Sequence, residues 1–92
     1  MEETLDRFLL LIAIEGTKMP WLEKNTGVSA KIWSNIKYKA QKMKAEELAA
    51  LAKVYPEYAY WLATGLEIPE AGQISPMTKR THKDLKTGPQ AG

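Results

Sequence analysis

The stretch TGVSAKIWSNIKYK, from Thr26 to Lys39, decides how this chain is read. In it, Gly27-Val28-Ser29 separates two segments that both have helical character. A glycine permits a sharp bend that residues with a Cβ resist, and Ser29 behind it is suited to cap the helix that follows. The pattern predicts the turn and second helix of a helix-turn-helix, with that second helix over residues 30–39. Following Val28 in the turn, Trp33 and Ile36 lie three residues apart and face inward. Lys31, Ser34, Asn35 and Lys37 take the opposite face.

Working outward, Pro20 to Asn25 reads as a short helix with Pro20 in its first turn, where a missing N–H costs nothing, and Gly27 ends it. Further upstream, Leu5, Phe8, Leu9 and Ile12 recur at i, i+3, i+4 and i+7 behind Thr4, which is placed to cap them. Leu10, Leu11 and Ile14 add apolar residues on other sides. That helix is therefore either buried nearly all round or offers a second apolar face to a partner, and Gly16 stops it. Downstream, Glu46 and Glu47 complement the dipole at the start of a fourth helix, on which Leu48, Leu51, Ala52 and Tyr55 form the inward stripe. Pro56 ends it and begins a fifth, with Tyr58, Trp61 and Leu62 buried and Gly65 as its left-handed stop. Trp21, Trp33 and Trp61 all fall on apolar faces and read as core. The predicted fold is all-α, a bundle of five short helices.

That bundle occupies residues 1–66. Beyond it Pro69, Gly72, Pro76, Gly88, Pro89 and Gly92 accompany few large apolar residues, so residues 67–92 read as a linker and a mostly flexible basic tail. Within it, Ser75-Pro76 resembles an N-cap and first helical residue, which allows a short basic helix near 76–86.

Ninety-two residues, 45% of them hydrophobic, suffice for one small core. With no cysteine and a lone histidine, His82, the chain has neither disulfides nor a zinc-site ligand set, and no metal or cofactor is expected. The longest apolar run, Phe8 to Ile14, is far short of the roughly 20 residues that span a bilayer, and Glu2, Glu3 and Asp6 precede it where a signal peptide is positive. A cytoplasmic protein with no membrane partner is expected. Gly-rich phosphate loops and cysteine nucleophiles are absent from the sequence, and Glu2-Glu3 and Glu46-Glu47 read as helix-start residues, so no enzymatic activity is expected.

The formal net charge of +2 conceals an uneven distribution. Between residues 18 and 45 seven lysines, Lys18, Lys24, Lys31, Lys37, Lys39, Lys42 and Lys44, stand against Glu23 alone. The flanking segments 1–17 and 46–70 are net acidic. The positive block coincides with the turn-helix stretch, as expected of a surface that neutralises phosphates, although a solvated lysine face has the same composition.

Residues 4–65, about two-thirds of the chain, resemble the lambda-repressor-like (xenobiotic-response-element) helix-turn-helix family of phage repressors, small bacterial regulators and some antitoxins. The carriers are Leu22 five residues before Gly27, then Val28-Ser29, Trp33 and Ile36, LAALAKVY from Leu48 to Tyr55, and YWLATG from Tyr60 to Gly65. Three positions depart from the family pattern. Glu23 stands where a small residue is usual, Thr26 replaces a large apolar residue, and Met19 replaces a phosphate-contacting glutamine.

The resemblance implies sequence-specific binding of double-stranded DNA by a small transcriptional regulator of the repressor type, from a phage or prophage, at the bacterial nucleoid. It places the recognition helix in the major groove with Ser29, Ala30, Lys31, Ser34 and Asn35 at base edges. Lys37, Lys39, Lys42 and Lys44 are then assigned to phosphates. Leu22, Gly27, Val28, Trp33 and Ile36 hold the motif together. Useful specificity from so small a domain calls for a homodimer on half-sites roughly 34 Å apart. The surplus apolar face of the first helix, the region from Tyr58 to Leu66, or the tail offers a protein contact. The alternative is a protein-interaction module on the same fold, such as an antitoxin or anti-repressor, that reads little or no DNA.

Overall fold

The computed structural model describes residues 3–81. Their α-helices are α1 (Thr4–Glu15), α2 (Met19–Thr26), α3 (Ala30–Lys37), α4 (Ala45–Val54) and α5 (Ala59–Thr64), the last entered through a 3-10 turn at Pro56–Tyr58. A sixth helix, α6, covers residues 76–81. The all-α bundle expected from the periodicities is the fold observed. The remainder of the expected tail helix, with His82, falls outside the described residues.

The core is a single cluster in which Phe8, Leu11, Leu22, Trp33, Ile36, Leu51, Tyr58 and Leu62 are fully buried. At the start of α1 the cap is Glu3 rather than Thr4. Asp6, three residues on, accepts the Glu3 amide at 3.3 Å, which sets the first turn one residue earlier. The buried stripe of α1 is also rotated from the expected one. Leu11 is fully enclosed, Leu5 and Leu9 only flank the core, and Leu10 stays 38% exposed.

Arg7 explains this rotation. It lies one turn before Leu11 on the same side of α1, is almost completely buried, and donates from Nε to the Leu62 carbonyl at 3.0 Å. That carbonyl belongs to the last turn of α5, where backbone oxygens have no partner within the helix and a cation is favoured by the dipole. Gly65 ends α5 at φ 81°, and a Cβ there would meet Arg7 Nη1 at 3.2 Å. The glycine therefore serves both the left-handed stop and the guanidinium beside it.

The chain between residues 67 and 81, expected to be linker and mostly flexible tail that allows a short helix near 76–86, packs on the bundle. Gln73 accepts the Tyr60 amide and donates to the Pro56 carbonyl, each at 2.9 Å, and the Ile74 amide donates to the Glu57 carbonyl. Ser75, buried, caps α6 by accepting the Thr78 amide at 3.1 Å, and its own amide donates to Glu67. Lys79 forms an ion pair with Glu57 at 2.8 Å and lies over the Tyr58 ring. Specific hydrogen bonds order this segment together with a small apolar contribution, Ile74 packing on the core and Pro76 being fully buried. Composition does not register those bonds.

Under α6, Tyr58 stacks on Tyr55 and donates to the Glu15 carboxylate, while Tyr55 shares a hydrogen bond with Thr17 at 2.7 Å. Burial first, then the Glu15 carboxylate, pushes the Tyr58 hydroxyl far above its ordinary value near 10. Tyr55 is raised as well, mainly by burial. A folded pKa raised above the unfolded one contributes stability that is complete below the unfolded value and is lost at higher pH. Urea titrations should thus find stability insensitive to these tyrosines up to about pH 10 and falling above it. Tyr58→Phe should flatten that alkaline decline while costing about 1 kcal/mol at neutral pH.

Candidate nucleic-acid interface

Helix α2, the turn Gly27-Val28-Ser29 and α3 form the helix-turn-helix, and three side chains set its geometry. The Thr26 hydroxyl accepts the Val28 amide at 3.1 Å and the Trp33 indole N–H at 3.2 Å, and donates to the Leu22 carbonyl. Ser29 caps α3 as expected, its Oγ accepting the Ile32 amide at 3.3 Å. Glu23 Oε1 accepts the amide of Ala30, the first residue of α3, at 2.8 Å. Gly27, at φ 81°, supplies the bend between the two helices.

Trp33 and Ile36 are fully buried, with the Trp33 ring stacked on Phe8 at 5.6 Å, and Val28 packs against the same core. Two departures from the family pattern thereby find a physical reason. A buried indole N–H needs an acceptor, and Thr26 supplies it where an apolar residue would not. The carboxylate at position 23 satisfies an orphan amide of the next helix, as a small residue could not.

At the N-terminal end of α3, Ser29 and Lys31 are exposed and Ala30 is half-buried. Ser34 and Asn35 are half-buried, and Asn35 Nδ2 donates to Gln41 Oε1 at 3.2 Å. One amide hydrogen and the carbonyl oxygen of Asn35 remain beyond that bond. At the other end, Lys37 lies over the Tyr38 ring, 5.4 Å from its centroid, with Tyr38 72% exposed. Lys39, Lys42 and Lys44 are exposed along the connection to α4. Lys39 and Lys42 also line an open groove of about 780 Å³ whose other wall is the first turn of α1. The candidate residues thus fall into three groups: Ser29 to Lys31 at the start of α3, the half-buried Ser34 and Asn35 along it, and the lysines at and after its end.

The second helix of the motif stops at Lys37, two residues short of the expected 30–39. Lys39 adopts φ 64°, its amide donates to the Ile36 carbonyl at 3.0 Å, and the Ala40 amide donates to the Asn35 carbonyl at 2.7 Å. This paired closure is the Schellman ending, which normally places glycine where Lys39 stands. Without that glycine the sequence does not announce the stop. Trp21 also departs from its expected place in the core, being 43% exposed on the flank of α2 against the Tyr55 ring.

Glu23, Thr26 and Gln41 hold this surface in shape and were not among the expected site residues. Glu23 and Thr26 did stand out as departures from the family pattern. Gln41 carries no sequence signal, because its partner is fixed only once the helix ends at Lys37.

Among the described residues no helix is long and apolar enough to cross a membrane, and no group of three or more acidic or histidine side chains could hold a metal ion. No family model and no curated protein matches the chain. Among solved structures, Pf6r from the filamentous phage Pf6 of Pseudomonas aeruginosa PA01 matches with a TM-score of 0.78 and 33% sequence identity. The match covers 92% of this chain and 99% of Pf6r. The chain belongs to the family of Pf6r. Coverage this high takes in more than residues 1–66, so the likeness to Pf6r extends past the five-helix bundle.

The polar seam of the motif is open to a direct test. Thr26→Val keeps the shape of the side chain but leaves the Trp33 indole and the Val28 amide without their acceptor, and should cost about 1–3 kcal/mol in chemical denaturation.

Proposed function

We propose that this Pf6r relative is a small phage-type regulator that binds double-stranded DNA in a sequence-specific manner, as a repressor acting in the bacterial cytoplasm. The observation that carries this reading is the presentation of α3. Side chains of α2 and the turn hold its first turn by hydrogen bonds, Ser29 and Lys31 stand exposed at that end, and a lysine-rich connection follows its other end. The resemblance to the lambda-repressor-like class supports the same assignment of roles.

In this reading α3 enters the major groove by its N-terminal end, with Ser29, Ala30 and Lys31 at base edges and Ser34 and Asn35 deeper along the helix. Lys31 has guanine O6 and N7 as its partners, and Asn35 reaches adenine N6 and N7 from its place beside Gln41. Lys37, Lys39, Lys42 and Lys44 neutralise phosphates. Two copies bind together. Arg7 stands beside Gly65, and Leu66, which follows Gly65 and is 61% exposed, together with Leu10, one turn along α1 from Arg7, offers the apolar surface for that pairing.

Selection of bound sequences from random duplex DNA tests this function, with a palindromic consensus of half-sites about one helical turn apart as the expected result. Failure to enrich any sequence would transfer the surface to a protein partner, as in an antitoxin or anti-repressor. On the selected site, Lys31→Ala and Asn35→Ala should each cost about 1–3 kcal/mol of binding and relax preference at one position. Lys39→Gly should behave differently. It removes a phosphate contact, lowering the slope of log affinity against log salt by about 1. In denaturation it should leave the fold unharmed or more stable, by up to about 1 kcal/mol, because glycine suits the left-handed position.

A further inference from the structure

Glu23 is the one carboxylate among seven lysines between residues 18 and 45, and it stands at the end of α3 assigned to the groove. A negative charge there opposes the phosphate attraction that its neighbours supply, so helix capping alone is a weak reason for it, since serine, threonine or asparagine cap without charge. Its geometry is specific. Oε1 is anchored to the Ala30 amide at 2.8 Å, Glu23 is exposed, as are Ser29 and Lys31 on either side of Ala30 in the chain, and Oε2 accepts no hydrogen bond among the described residues. The anchor holds the carboxylate in place before any ligand arrives, which lowers the ordering cost of using its second oxygen.

We propose, resting on the DNA-reading function above, that Glu23 is a specificity-determining residue whose Oε2 accepts a hydrogen bond from the exocyclic amine of a cytosine in the major groove. An ionised carboxylate is an acceptor only. Cytosine presents a donor, N4, whereas guanine presents the acceptors N7 and O6, and thymine presents O4 and a methyl group. Adenine has a donor at N6 but places the acceptor N7 beside it. Glu23 thus attracts one base and repels acceptors on two others, which makes discrimination from rejection as well as from contact. Lys31, the neighbouring donor, has the opposite preference, and the two together read a cytosine next to a guanine-type acceptor.

The test is a parallel selection with the full-length wild type and Glu23→Gln. Glutamine keeps an oxygen for the Ala30 amide, so the cap survives, but the outward atom becomes an NH2 donor. Wild type should enrich cytosine at one position of each half-site, with substitution of that base weakening binding about tenfold or more. Glu23→Gln should lose that cytosine in favour of a base presenting an acceptor, guanine or thymine, and thermal melting should show the variant folded. Identical consensus sequences for the two proteins, or a wild-type consensus without such a cytosine, would overturn the role of Glu23 and leave DNA reading intact. No enrichment by wild type would overturn both. As a second readout, Glu23→Asp, which keeps the charge but withdraws the carboxylate, should weaken the cytosine preference without moving it to another base.

Discussion

Trp33 is enclosed on all sides and carries a polar N–H, and the placement of α3 depends on where that N–H goes. An unpaired indole in a core of Phe8, Leu22, Leu51 and Ile36 would carry the full penalty of its desolvation. Thr26 removes it from the far side of the turn, and with the same hydroxyl takes the Val28 amide. One oxygen therefore links the end of α2, the middle of the turn and the second turn of α3. Apolar packing alone allows a helix to slide or rotate by small amounts at modest cost, because dispersion is nondirectional. A hydrogen bond with defined partners at both ends does not.

Arg7 plays the corresponding part on the other side of the core. A guanidinium between α1 and the last turn of α5 fixes the rotation of α1, which explains why Leu11 rather than Leu9 reaches the centre. Arg7 Nε satisfies a carbonyl that the helix itself leaves open. Gly65 completes the arrangement, since no other residue combines its backbone angle with the room that the guanidinium takes. The bundle thus has a polar fastening at each flank of one apolar cluster, Thr26 at the motif and Arg7 at the closing helix.

The apolar skeleton was legible in the sequence because helical periodicity and glycine stops are local signals. Trp33, Ile36, Leu51, Tyr58 and Leu62 all occupy the interior that their spacing assigns them, and Gly27 and Gly65 end their helices as read. What was not legible has a common cause. Arg7, Gln41 and Gln73 act through partners that only tertiary structure supplies, and a polar residue counted as surface is where a periodicity argument ends. Trp21 was misplaced for a related reason: α2 has only eight residues, and Leu22 alone fills its share of the core. The stop of α3 was hidden because lysine, rather than glycine, occupies the left-handed position.

The two ends of α3 are restrained by different means, and this bears on what the helix can do. At the start, the restraints are side chains from α2 and the turn: Glu23 on Ala30, Ser29 on Ile32, Thr26 on Trp33. At the finish they are backbone bonds from Lys39 and Ala40, with Gln41 holding the Asn35 side chain. A helix of eight residues spans only about 12 Å, so a residue that moves one end by an ångström rotates the other end noticeably. Fixing both ends keeps the distance between the Ser29 to Lys31 group and the following lysines constant. In the proposed DNA-binding role, with one group at base edges and the other at phosphates, that constancy lowers the cost of binding, because less ordering is left for the moment of association. The restraint at the start of α3 is built by positions 23 and 26, two of the positions at which the sequence departs from the lambda-repressor-like pattern it resembles.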